Sequence, residues 1–263
     1  MDKIQGLILD MDGVLWRANE PIGDLGRIFA EIAAKGLKVI LATNNATRTS
    51  QQYVERLKGY GVMLETWQVI HSGQVAARYL KQLHPAGGGV YLIGEDGVRQ
   101  ALQEAGFWLT DGERREDVAA VVAGMDRQVT FEKLRKATLL VRAGAPLIAT
   151  NPDRTFPTPE GQIPGAGAIL AALQAATDQE GLVMGKPQTA MYEASLDRLG
   201  TTPAQTLVVG DRIETDIVGA QQMGCPTALV LSGVTSAEAA AAYRPAPDWI
   251  CSDLAAVVAK IAV

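Results

Sequence analysis

Four short groups of residues carry polar side chains where apolar runs end. The first is Asp10-Met11-Asp12-Gly13, directly after the apolar run 7–9. Carboxylates at i and i+2 fall on the same side if the extended geometry persists. Two close carboxylates repel, and each raises the pKa of the other unless a cation compensates. Such a pair is served by a hard divalent metal or by keeping one carboxyl protonated, and both solutions suit hydrolysis. Asp-x-Asp-Gly also occurs in calcium loops and ordinary turns, so the motif needs partners. The second group, Thr43-Asn44-Asn45, ends another apolar run. Its hydroxyl and amides can donate to a phosphate oxygen, or they can close a turn and cap a helix. The third is Lys186, set between Gly185 and Pro187. The fourth is Gly210-Asp211, followed by Asp216. Asp216 falls in the first turns of the next helix, where a carboxylate also interacts favourably with the helix N-terminus.

These groups need a scaffold that brings strand ends together. Residues 4–9, 37–42, 206–209 and 227–231 are short, mostly apolar runs and are predicted as strands. Helical spacing appears at Ile28, Ile32 and Ala33, over about 51–58, and over about 213–223. Apolar strands of this kind belong to a sheet buried on both faces. Their alternation with helices predicts βαβ units and a doubly wound parallel sheet, Rossmann-like in class. In such a sheet the carboxyl edge is where ligands bind. The middle of the chain repeats the alternation. Strands are predicted at 90–93, 118–123 and 146–150, and helices around 98–104, 130–142 and 166–176. Residues 153–164, rich in Pro and Gly, are predicted as a loop. The Ala-rich run 237–242 is predicted as a surface helix.

Composition narrows the class. The chain has 263 residues, 48% hydrophobic and 20% charged, which is ordinary globular usage. The formal charge is −5 with no basic run, so a nucleic-acid partner is not indicated. Two cysteines, Cys225 and Cys251, exclude a disulfide scaffold and a four-cysteine zinc site. The apolar runs are too short for a membrane span, and the N-terminus does not have the pattern of a signal peptide. The default location is therefore the cytoplasm. His71 and His84 lack a partner pattern. Trp16, Trp67, Trp108 and Trp249 are scattered, as packing residues are. Gly165-Ala166-Gly167 does not follow a strand directly, and Leu170 fills the last glycine place of a GxGxxG loop, so it is predicted to open a helix.

Taken together, the four groups resemble the haloacid dehalogenase-like superfamily in order and spacing. DMDGVLWRANEPI, LATNNATRTS, ATNPD and IPGAG are similar to the branch that contains nitrophenyl, ribonucleotide, phosphoglycolate and pyridoxal-phosphate phosphatases. The resemblance covers essentially the whole chain. Asp12 speaks against dehalogenation, since true 2-haloacid dehalogenases lack that second Asp. The resemblance implies a phosphatase of small phosphorylated metabolites with Asp10 as nucleophile and Asp12 as general acid and base. Thr43 and Lys186 would hold the phosphoryl oxygens. Mg²⁺ would be held by Asp10, the backbone carbonyl of Asp12 and Asp211, with Asp216 behind them orienting Lys186 or a metal-bound water.

In this branch a smaller α/β cap is inserted between the second and third motifs, and the long segment between Thr43 and Lys186 has the right size and pattern. The expected organisation is a core of residues 1–79 and 179–263 with a cap over 80–178. Candidate substrate-binding residues are Asn44, Asn45 and Arg48 from the core, Asn151 and Asp153 from the cap, and Thr43 and Lys186 themselves. The competing role for the five polar residues is turn chemistry. A homodimer through the cap follows from the resemblance alone. The alternatives are a phosphomutase of the same superfamily and a non-catalytic protein that binds a phosphorylated ligand. A signalling receiver domain shares the acids, the Thr and the Lys, but carries its phosphorylated Asp on a later strand of a much shorter chain.

Overall fold

The computed structural model describes residues 3–158 and 160–262. It divides into two compact units, one comprising Met1–Thr43, Ser50–Ile70 and Lys186–Val263, the other Asn44–Thr49 and His71–Gly185. The second is thus inserted into the first. The sequence-based limits 80 and 178 both fall inside the inserted unit, where the helix Ser72–Leu83 packs on the helix Asp96–Glu104.

The core unit is built on a six-stranded sheet. Its order is Trp249–Cys251, Thr227–Val230, Thr206–Gly210, Gly6–Leu9, Lys38–Thr43 and Val69–His71. Gly6–Leu9 lies at the centre, parallel to both neighbours, with Leu9 opposite Val209 on one side and Leu41 on the other. Every residue of Gly6–Leu9 and of Thr206–Gly210 is buried. That is what continuous apolar strands require when helices cover both faces of a sheet. One layer of the core joins Leu7, Leu9, Leu41, Leu207 and Val209 to Ile28 and Ile32 of the helix Leu25–Ala34. Asp24 caps that helix by accepting from the Arg27 N–H at 3.0 Å.

The inserted unit has its own five-stranded parallel sheet, ordered Leu182–Val183, Leu147–Ala149, Val118–Ala123, Gly88–Ile93 and Phe107–Leu109. It also has its own core, including Ile93, Val121, Ala149 and Leu173. The segment predicted as a loop, 153–164, contains an antiparallel hairpin, Thr155–Thr158 with Gly161–Pro164. Among the described residues its two strands pair only with each other. Gly165 does open a helix, Ala166–Thr177, as its N-cap. Ala237–Ala242 is a helix with Ala240 as its buried residue, and both cysteines are free and buried. Among the described residues no helix is long and apolar enough to cross a membrane.

The central position of Thr206–Gly210 generates a stability prediction. Leu207→Ala removes a fully buried side chain from the strand that flanks Gly6–Leu9. The expected loss is about 2–5 kcal/mol in urea unfolding. A loss below about 1 kcal/mol would mean that the site collapses around the cavity.

Candidate active site

The parallel register brings the polar groups to one edge. Asp10 follows Leu9, Asp211 follows Gly210, and Thr43 closes Lys38–Thr43, all at the carboxyl end of the core sheet. The Asp10 N–H donates to the Val209 carbonyl at 2.9 Å, so the chain stays in the sheet as far as the first acid. Thr43 is buried there, with 2% of its surface exposed.

Lys186 is the centre of the constellation. Its Nζ donates to Asp10 Oδ1 and to Asp216 Oδ1, both at 2.6 Å, and the residue is 3% exposed. Burial disfavours an ammonium, but the charges of Asp10 and Asp216 outweigh it and raise the Lys186 pKa. Asp216 is satisfied at both oxygens, since Oδ2 accepts from the Arg212 N–H at 3.0 Å. Its aim depends on a local departure from the predicted α-helix. Ile213–Ile217 forms a π-turn before the α-helix Val218–Gln222. Such turns are frequent at functional sites. Here the turn is held by Tyr192, whose hydroxyl is shared between the carbonyls of Thr215 at 2.8 Å and Asp216 at 3.0 Å.

Asp10, Asp211 and Asp216 each bring a carboxylate oxygen within 4.8 Å of the other two. One ammonium does not balance three carboxylates. Burial pushes the Asp10 pKa well above the usual carboxylate range, against the pull of Lys186. Burial and then the charge of Asp216 push Asp211 up to about 6. A hard divalent cation would relieve both effects, and all-oxygen donors are what such an ion prefers. The donor set therefore fits a cation of that class.

Asp211 is held by the loop that follows Thr227–Val230. Its Oδ2 accepts from the Val234 N–H at 2.7 Å, and its carbonyl accepts from the Thr235 hydroxyl at 2.6 Å. Ser232 of the same loop donates to the Gly13 carbonyl at 2.7 Å. Two glycines permit this approach. A Cβ on Gly233 would lie 1.9 Å from Asp211 Oδ2, and one on Gly13, which has φ +86°, would lie 2.4 Å from it. Asp12 stands apart from the acidic trio. Its Oδ1 accepts from the Trp16 indole N–H at 2.9 Å. Burial raises the Asp12 pKa, and the indole hydrogen bond and the charge of Arg56 oppose the rise.

Chain segments with this order of acids, Thr and Lys match known proteins across the whole length. Residues 7–108 match the family described as haloacid dehalogenase-like hydrolase, and residues 183–257 match the related HAD-hydrolase-like family. Phosphoglycolate phosphatase 2 of Arabidopsis thaliana is 38% identical over 256 residues, 89% of this chain and 85% of that protein. The chain is a haloacid dehalogenase-like hydrolase. Within that family it belongs to the p-nitrophenyl phosphatase branch with an inserted cap domain. A p-nitrophenyl phosphatase from Archaeoglobus fulgidus superposes with a TM-score of 0.90 at 32% identity, covering 98% of this chain and 99% of that one. The acid sugar phosphatase of Staphylococcus epidermidis is 33% identical over 99% of both chains.

The remaining candidates of this hydrolase lie in the inserted unit. Asn44 Nδ2 donates to Asp153 Oδ2 at 3.3 Å, and the Asn44 carbonyl accepts from Asn151 Nδ2 at 2.7 Å. Three of the expected substrate residues are thus brought together. Asn45 bonds within its own loop. Its Oδ1 accepts from the N–H of Thr47 at 3.1 Å and from its hydroxyl at 2.7 Å, which closes a turn. Arg48 is exposed. Sequence reasoning missed Tyr192, Trp16 and the loop 232–235. Their contacts with the site are tertiary or depend on a tight turn, and no spacing announces them.

The glycine contacts generate the prediction here. Gly233→Ala displaces Asp211, so Mn²⁺ binding followed by electron paramagnetic resonance weakens about tenfold or more while the fold persists. Unchanged affinity would remove Asp211 from the cation site.

Proposed function

We propose that this hydrolase cleaves small phosphomonoesters by two displacements through an aspartyl-phosphate on Asp10. The observation that carries the reading is the buried Lys186 ammonium, 2.6 Å from Asp10 Oδ1, beside two further carboxylates. Burial raises the Asp10 pKa, and Lys186 opposes that rise and so favours the anion, which is the form that attacks phosphorus. In the first displacement an Asp10 oxygen bonds to phosphorus, the bond to the leaving oxygen breaks, and Asp12 gives that oxygen a proton. In the second, Asp12 takes a proton from water as it attacks, and phosphate leaves Asp10.

Thr43 and Lys186 hold phosphoryl oxygens and offset their charge, which is most of what phosphoryl transfer asks of a protein. Asp10, the carbonyl of Asp12 and Asp211 would hold Mg²⁺, with Asp216 fixing Lys186. Bound there, Mg²⁺ supplies positive charge against the phosphoryl oxygens. The substrate class follows from the relatives, whose names specify phosphoglycolate, acid sugar and p-nitrophenyl phosphatases. Asn44, Asn45, Arg48, Asn151 and Asp153 are assigned to substrate selection.

Two variants of one experiment test this. Asp10→Asn loses about 10³-fold or more of phosphate release from p-nitrophenyl phosphate, phosphoglycolate and sugar phosphates, with the circular dichroism unchanged. Chelation of Mg²⁺ silences the unaltered protein and added Mg²⁺ restores it. Residual turnover near normal in Asp10→Asn would sink the nucleophile assignment.

A further inference from the structure

We infer that Trp16 is a positioning residue for proton transfer, its indole N–H holding the Asp12 carboxylate so that the other oxygen faces the leaving group. This rests on the reading of Asp12 as the acid of the first displacement.

The indole has little freedom. Trp16 is 1% exposed. Tyr53 stacks on it with ring centroids 6.5 Å apart and planes 7° apart, and Tyr60 packs tilted at 6.3 Å. The Arg56 guanidinium lies 3.9 Å from the centre of the ring. Arg56 is itself tied to the Ala18 carbonyl. Stacking of this kind and a cation over the face each favour one ring orientation.

The backbone fixes the same relationship from the other side. The Gly13 N–H donates to the Trp16 carbonyl at 2.8 Å, and the Leu15 N–H to the Met11 carbonyl at 2.8 Å. This tight turn places Asp12 and Trp16 as bridge partners. A buried indole N–H needs an acceptor. Here it finds Asp12 Oδ1 at 2.9 Å. A carboxylate rotates about its terminal torsion with little preference. The hydrogen bond removes that freedom and leaves Oδ2 as the oxygen that carries the proton. Packing against Tyr53, Tyr60 and Arg56 uses the ring faces, and the N–H at the ring edge is left to serve Asp12.

A positioning role is distinguished from a structural one by the leaving group. An alkoxide leaves only with a proton, whereas p-nitrophenolate leaves readily without one. The specificity constant kcat/KM reports the first displacement alone, so Asp12's second proton transfer does not enter it. In Trp16→Phe, kcat/KM for phosphoglycolate falls about ten- to a hundredfold, while that for p-nitrophenyl phosphate falls about threefold or less. The ratio of the two is measured on one preparation, so any loss of folded protein cancels. Replacement of Trp16 by 3-benzothienylalanine keeps the ring shape, removes only the N–H, and gives the same split. Asp12→Asn is the reference and shows a larger split of the same sign. An equal fall on both substrates in the Trp16 variants, with the split intact in Asp12→Asn, overturns the inference and leaves the Asp12 reading standing. No split in Asp12→Asn overturns both.

Discussion

The core of this molecule depends on one buried ammonium. Lys186 bridges Asp10 and Asp216 with two contacts of 2.6 Å in a place where water does not compete. Removing a partner from a buried pair strands a charge, which is far more costly than losing an exposed ion pair. The surrounding structure is arranged so that none is stranded. The π-turn re-aims Asp216, Tyr192 holds the carbonyls of that turn, and the Arg212 N–H satisfies the second oxygen. What remains unbalanced is the excess of carboxylate. That excess is one that a hard divalent cation would offset.

The inserted unit handles its polar residues differently. Asn44, Asn151 and Asp153 are bonded to one another and to backbone. These bonds fix the three side chains relative to one another.

Much of this was legible in the residues themselves. Asp10, Asp12, Thr43, Lys186 and Asp211 stand out because each lies at or just after an apolar run or a turn signal, Asp216 stands out by its spacing from Asp211, and parallel strands must deliver their ends to one edge. The short strands Val69–His71, Phe107–Leu109, Leu182–Val183 and Trp249–Cys251 were not legible. Two or three residues carry no period. The π-turn was hidden because GDRIETDI has the spacing of an α-helix, and the Tyr192 hydroxyl that bonds two of its carbonyls comes from another helix. Trp16 looked like a packing residue, and it is one. Its second contact appears only when the turn after Gly13 brings the indole back to Asp12.

The interleaving of the two units also sets an order of assembly. The inserted unit is almost continuous in sequence, from His71 to Gly185, and pairs strands near one another along the chain. The central core strand, by contrast, needs Lys38–Thr43 on one flank and Thr206–Gly210 on the other. Contacts of such long range form late, because the intervening chain must first be closed into a loop. During synthesis from the N-terminus, Asp10 is made first and its ammonium partner far later. In the nascent chain Asp10 is thus solvated, and it acquires its buried environment only when the last third of the chain has emerged.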